Sequence, residues 1–151
     1  MSIPADLVES IREIEHKGIL LLRTGNYAEA EEIFSKEYEL FLERQAKDES
    51  KRIHKGSPLH NLGLSSLFGG NPFKGLKYVL LAYTEDILTG SGKGAADNLP
   101  ACIALRSIFA VAPKNLRELE DLVLERKKEG ISFLYPEDNF AVLDSIIKVK
   151  G

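Results

Sequence analysis

The sequence predicts an all-α fold of stacked antiparallel helical hairpins, about seven helices forming one domain over residues 1–151. Apolar residues recur at steps of three and four along most segments, the signature of amphipathic helices. No stretch alternates as a strand does. Glycine, asparagine and proline interrupt the apolar pattern at intervals that divide the helices into pairs.

The first helix is expected over Ala5 to Arg23, with Leu7, Ile11, Ile14, Gly18 and Leu21-Leu22 on one face. Asp6 follows Pro4 and suits a cap. Arg23-Thr24-Gly25-Asn26 reads as a stop, with Gly25 in the left-handed position. The second helix starts near Tyr27 and carries Ala30, Phe34, Tyr38, Phe41 and Leu42 among many charges. Its stripe fades after Leu42, so Gln45 to Arg52 is expected to be a flexible, solvated connection. These two helices make a first hairpin over about residues 5–50. Gly56-Ser57-Pro58 opens the second hairpin, residues 57–89, with Ser57 at the N-cap and Pro58 at the first helical position. Its first helix runs to Phe68. Gly69-Gly70-Asn71 closes it, and Pro72 begins a helix ending at Thr89. Gly90 to Gly94 is a loop. It lacks the spacing of a phosphate loop and no strand precedes it, so a linker is the reading. A third hairpin over 97–130 and a capping helix over 138–148 complete the chain.

Composition bounds the function. Net charge is -3, too mild for binding nucleic acid or anionic membranes. No apolar run reaches the roughly 20 residues of a membrane span. Cys102 is the lone cysteine and cannot form an internal bridge. It sits in the apolar run Ala101 to Leu105 and reads as a buried, inert thiol. The opening residues carry neither a basic nor an apolar secretory region. A cytoplasmic location is the expectation.

Two stretches align without gaps. Ile14, Gly18, Leu21, Gly25, Ala30 and Phe34 fall on Leu59, Gly63, Ser66, Gly70, Gly75 and Val79, each pair 45 positions apart. Small residues let paired helices approach, large ones fill the space, and the glycines permit the turn. The pattern resembles the tetratricopeptide repeat over roughly Arg12 to Ile87. The resemblance implies a right-handed superhelical arrangement of hairpins. It also implies a groove, lined by the first helix of each, that takes extended peptides or partner helices. By register, Arg12, Glu15, Ile19, Leu22 and Arg23 line it in the first hairpin. His60, Asn61, Leu64, Leu67 and Phe68 line it in the second. The chain departs from the family in its period, which is about 34 residues there. It departs also in Lys17, Leu21 and Ser66, which stand at leucine and tyrosine positions. The third hairpin does not keep the pattern. The carboxylate clamp of one subclass needs Lys and Asn where Glu15 and Ile19 stand, so capture of a peptide C-terminus in that manner is disfavoured. The expectation is a divergent, compact version of the fold.

His54, Lys55, His60 and Asn61 form the densest chemical cluster, at the start of a helix whose N–H groups and dipole favour anions. An anion or phosphate site, or a histidine pair for phosphodiester cleavage, is the functional reading. A simple cap with surface histidines is the structural one. No arginine stands five positions before His54 or His60, which removes the helical ribonuclease signature. Glu85 and Asp86 are expected to form salt bridges or face water, Glu85 turned away from the cluster. Arg126-Lys127-Lys128 suits a helix C-terminus. No catalytic triad, paired cysteines or metal set is visible, and no cofactor is expected. The leading expectation is a non-enzymatic module that binds a partner protein or peptide. Groove contacts would come from Leu64, Leu67 and Phe68, though contact with the third hairpin competes for them. Nuclease-like or anion-handling chemistry on the histidine cluster is the alternative. Self-association through an apolar face is a third reading.

Overall fold

The structure is a computed structural model that describes residues 5–89, 121, 123–125, 128, 134–139 and 143. Among them are four α-helices and one short 3-10 turn, and no strand. Helix α1 spans Ala5–Arg23, α2 Tyr27–Lys47, α3 Gly56–Phe68 and α4 Pro72–Thr89; the 3-10 turn spans Pro136–Asn139. The expected third hairpin and capping helix fall mostly outside the described residues, as does Cys102. Residues 121, 123–125, 128 and 143 are helical.

The two hairpins close by one backbone device. After α1, Asn26 N–H donates to Leu21 O and Gly25 N–H to Leu22 O. After α3, Asn71 N–H donates to Ser66 O and Gly70 N–H to Leu67 O. This is the Schellman pattern, which needs a left-handed residue past the helix end. Gly25 (φ 80°) and Gly70 (φ 91°) supply it. Each asparagine then starts the next helix, with Ala30 N–H on Asn26 O and Gly75 N–H on Asn71 O. All these bonds repeat at the 45-residue offset of the sequence alignment.

Close crossings follow from the small residues. A methyl group at Gly18 would lie 2.5 Å from the Phe34 ring. At Gly63 it would meet Val79 Cγ2 at 2.6 Å, and at Gly75 the backbone of Gly63 and Leu67 at 2.8–2.9 Å. The facing pairs Gly63–Val79 and Leu67–Gly75 run in opposite order along α3 and α4, so this hairpin is antiparallel. Helix α2 packs on both α1 and α3, and α3 packs on α4. One core joins the hairpins: Ala30, Phe34 and Tyr38 of α2 meet Leu59 and Leu62 of α3 and Leu76 and the buried run from Val79 to Tyr83 of α4. A smaller cluster of Leu7, Ile11, Phe41 and Ile53 closes the other end of the first hairpin. Tyr38 donates a hydrogen bond to Glu137 and so ties the 3-10 turn to α2. Burial, and then Glu137, push its phenol far above the ordinary range.

Two expectations are corrected. The apolar stripe of α2 ends after Leu42 and residues 46–51 are exposed, but Gln45, one turn past Phe41, is fully buried. Its amide Nε2 donates to Asp48 O (3.0 Å) and Lys51 O (2.9 Å). Its Oε1 accepts from Ile53 N–H (2.8 Å) and Lys55 Nζ (2.7 Å). The connection expected to be flexible is therefore stitched to a core side chain. In addition, Ser57 is not the N-cap of α3. The cap is Lys55, and Gly56 begins the helix. The Ser57 hydroxyl instead donates to Glu15 Oε1 across to α1 (2.8 Å).

Candidate functional site

The predicted cluster of His54 and Lys55 is assembled, but inward. Glu85 is fully buried on α4 and faces the start of α3, correcting the expectation that it turns away. Its Oε1 accepts from Lys55 N–H (3.1 Å), and its carboxylate takes a two-pronged contact from Arg52 (3.2 and 2.6 Å). Lys55 Nζ lies 3.9 Å from Glu85 and donates to Ile53 O and Gln45 Oε1. Asp86, next along α4, lies 3.1 Å from His54 Nε2, while His54 Nδ1 is 2.9 Å from Thr89 Oγ1. A side chain at position 56 would collide with both His54 and Asp86, so glycine lets the helix start settle on the carboxylate. The anion expected at this helix N-terminus is thus the protein's own.

Burial pushes the Lys55 ammonium down to about 8, with Glu85 opposing the shift. Lys55 has no exposed surface, and both ring nitrogens of His54 are engaged within the chain. His60 and Asn61 are half-buried one turn further along α3. The structure therefore joins His54 and Lys55 to Arg52, Glu85 and Asp86 rather than gathering the two histidines around an open pocket. No group of three or more His, Cys, Asp or Glu side chains among the described residues is placed to hold a metal ion.

The open surface lies elsewhere. Ser57 touches Glu15, and Phe68 stacks obliquely on Tyr27 with ring centroids 5.9 Å apart. The second contact is with the start of α2, so α3 runs antiparallel to α2 and in the same direction as α1, and Ser57 reaches α1 at Glu15. The expected groove positions fall on α1 and α3. Leu22, Leu64 and Leu67 are half-buried, while Ile19 is 38% and Phe68 56% exposed. Between the start of α3 and the middle of α1 opens a cleft of about 310 Å3, lined by Val8, Ile11, Arg12, Glu15 and Ser57. Behind Glu15 stands Glu37 of α2, fully buried, with no hydrogen-bond donor to either carboxyl oxygen. Burial, and then the negative charge of nearby Glu15, push the Glu37 carboxyl up to about 9.

Glu37 is the feature that pattern reading passes over. It occupies a core position in the stripe Phe34, Glu37, Tyr38, Phe41, and that placement was the available signal. The sign of its effect on stability follows from linkage. A carboxyl whose folded value is raised holds a proton that the unfolded chain has lost, so its contribution is complete below about pH 4.5 and declines as pH rises toward 9. Above about pH 8, deprotonation of Lys55 acts in the opposite sense. Glu37→Gln should remove a slope of about 1.4 kcal/mol per pH unit between pH 5 and 8. Urea titrations across that range read it. A variant that keeps the wild-type slope would place the proton elsewhere.

Comparison of the chain with family models, curated proteins and solved structures returned no match.

Proposed function

We propose that this chain is a non-enzymatic interaction module of tetratricopeptide type. In this reading its hairpins continue into a right-handed superhelical stack of about seven helices, and a partner peptide or protein lies in the groove between α1 and α3. One observation carries the reading: α1 and α3 run in the same direction, both in contact with α2, with Phe68 largely exposed at the end of α3 and a cleft between the start of α3 and α1. The 45-residue repeat of turns and crossings supports a hairpin architecture suited to that use. No described helix is long and apolar enough to cross a membrane, and a cytoplasmic partner fits the composition.

The anion-handling alternative on His54, Lys55, His60 and Asn61 needs ring nitrogens and an ammonium turned outward. His54 and Lys55 are spent on Asp86, Thr89, Gln45 and Glu85 instead.

The test is affinity capture with the whole chain against Leu64→Glu and Phe68→Glu, each first matched to the wild type in circular dichroism and melting temperature. Loss of the captured partner by about tenfold or more is the expected result, since a charge set into an apolar contact costs at least 1.4 kcal/mol or so. Light scattering at two concentrations identifies the partner as a second copy if mass rises. Retention of the partner by both variants rules out the groove. An activity abolished by His60→Ala without loss of structure rules out the module.

A further inference from the structure

The cleft side of α1 carries a pattern that complements itself when reversed. At about 100° per residue, Val8, Arg12, Glu15 and Ile19 fall in one stripe along the helix, at steps of four, three and four. The first three line the cleft beside α3, together with Ile11 and Ser57. Ile19 stands one turn further on and is 38% exposed. Val8 and Glu15 are half-buried. Arg12 is exposed, and it forms no ion pair or hydrogen bond among the described residues. The Ser57 hydroxyl holds Glu15 by Oε1 and so fixes the carboxylate at the cleft. Along the stripe the order is apolar, cation, anion, apolar. Turned end for end, it is apolar, anion, cation, apolar. Positions 12 and 15 share one midpoint with positions 8 and 19. A second α1 laid antiparallel across that midpoint therefore sets each Arg12 against the Glu15 of the other copy, and each Ile19 against its Val8.

We propose that two copies of the chain associate through α1, antiparallel about a two-fold axis between Arg12 and Glu15. The inference rests on the reading of this side of α1 as a contact face, and it names the occupant as a second copy. Charge complementarity selects that occupant: the stripe supplies both signs at the spacing its own reversal needs, which gives two reciprocal pairs per dimer. The same surface serves on both sides, so the contact closes at two copies. Each Ile19 enters the other copy's cleft beside Val8 and Ile11, and the volume of about 310 Å3 is ample for it. The net charge of -3 per copy opposes association only weakly, since exposed charges more than about 8 Å apart are screened at physiological salt. A contact built on one helix stripe is small among specific interfaces, so the dimer depends on concentration.

Sedimentation equilibrium of the intact chain from about 1 to 500 µM is the experiment. The mass should rise from 16.8 kDa toward twice that value. Arg12→Glu and Glu15→Arg, each first matched to the wild type in circular dichroism, should each weaken association by at least about tenfold, because each sets like charges opposite one another at two places. Mixed in equal amounts, the two variants should associate again, since every charge pair across the mixed dimer then has opposite signs. Ile19→Glu changes a side chain outside the core and should weaken association likewise. A chain that stays at 16.8 kDa throughout, association indifferent to Arg12→Glu and Ile19→Glu, or a mixture that stays monomeric overturns this inference. Those outcomes leave the module standing wherever a captured partner is lost with Leu64→Glu and Phe68→Glu. A chain that neither self-associates nor captures a partner overturns both.

Discussion

Glu85→Ala should lower the unfolding free energy by about 3–5 kcal/mol, the usual cost of leaving a buried charge without its partner. The melting temperature should fall by roughly 10 °C. The reason lies in what Glu85 holds. It neutralises Arg52, accepts the first exposed N–H at the start of α3, and stands near the Lys55 ammonium. Alanine leaves two cations and one backbone donor facing each other in the interior. Glu85→Gln retains the shape and an acceptor and should cost less. Replacing Glu85, Arg52 and Lys55 together with apolar residues of similar size should recover most of the loss, because the pair repays little beyond its own desolvation. Urea denaturation at low and high salt checks the point, and the loss should barely change with ionic strength. A cost under about 1 kcal/mol would assign the pair to solvent.

Phe34→Ala should cost about 3–5 kcal/mol, as expected for emptying a fully buried aromatic site. The more telling measurement is its combination with Gly18→Ala. Alone, Gly18→Ala drives a methyl into the Phe34 ring and should destabilise by about 1–3 kcal/mol. The ring is enclosed on all sides and has nowhere to swing. In the Phe34→Ala background the obstacle is gone, and alanine's helical preference of about 1 kcal/mol over glycine should make the same change stabilising. The sign reverses. A thermal or urea double-mutant cycle reads the coupling. Additive effects would mean that α1 and α2 do not cross at this pair.

Much of the fold is legible in the chain because its signals are local. The 3.6-residue stripe marks α1 from Leu7 onward. Gly25 and Gly70 mark the hairpin turns, since only a left-handed residue completes those hydrogen bonds. The matched small residues mark the crossings. The site is less legible because its determinants are charged side chains at core positions. Glu37, Gln45, Lys55 and Glu85 read as surface residues by hydropathy, yet all four are enclosed. Their partners lie far along the chain, Arg52 and Glu85 being 33 positions apart. Ser57-Pro58 is a sound local start signal overruled by tertiary structure: Gly56 begins the helix, the Glu85 carboxylate takes the N–H of the cap residue Lys55, and the Ser57 hydroxyl goes to Glu15. The histidine cluster looked outward for the same reason, since nothing near it in sequence announces Asp86 and Thr89.

The buried amide at position 45 has a consequence for how the repeat tolerates its long spacing. Asp48 and Lys51 are gripped there through main-chain oxygens, and Ile53 through its main-chain nitrogen. Every amino acid supplies the oxygen, and all but proline the nitrogen. The composition of the exposed residues 46–51 is therefore free to drift toward whatever keeps the molecule dissolved, while the anchor itself admits few replacements: a carboxylate there has no hydrogen to give, and a methionine neither gives nor takes one of useful strength.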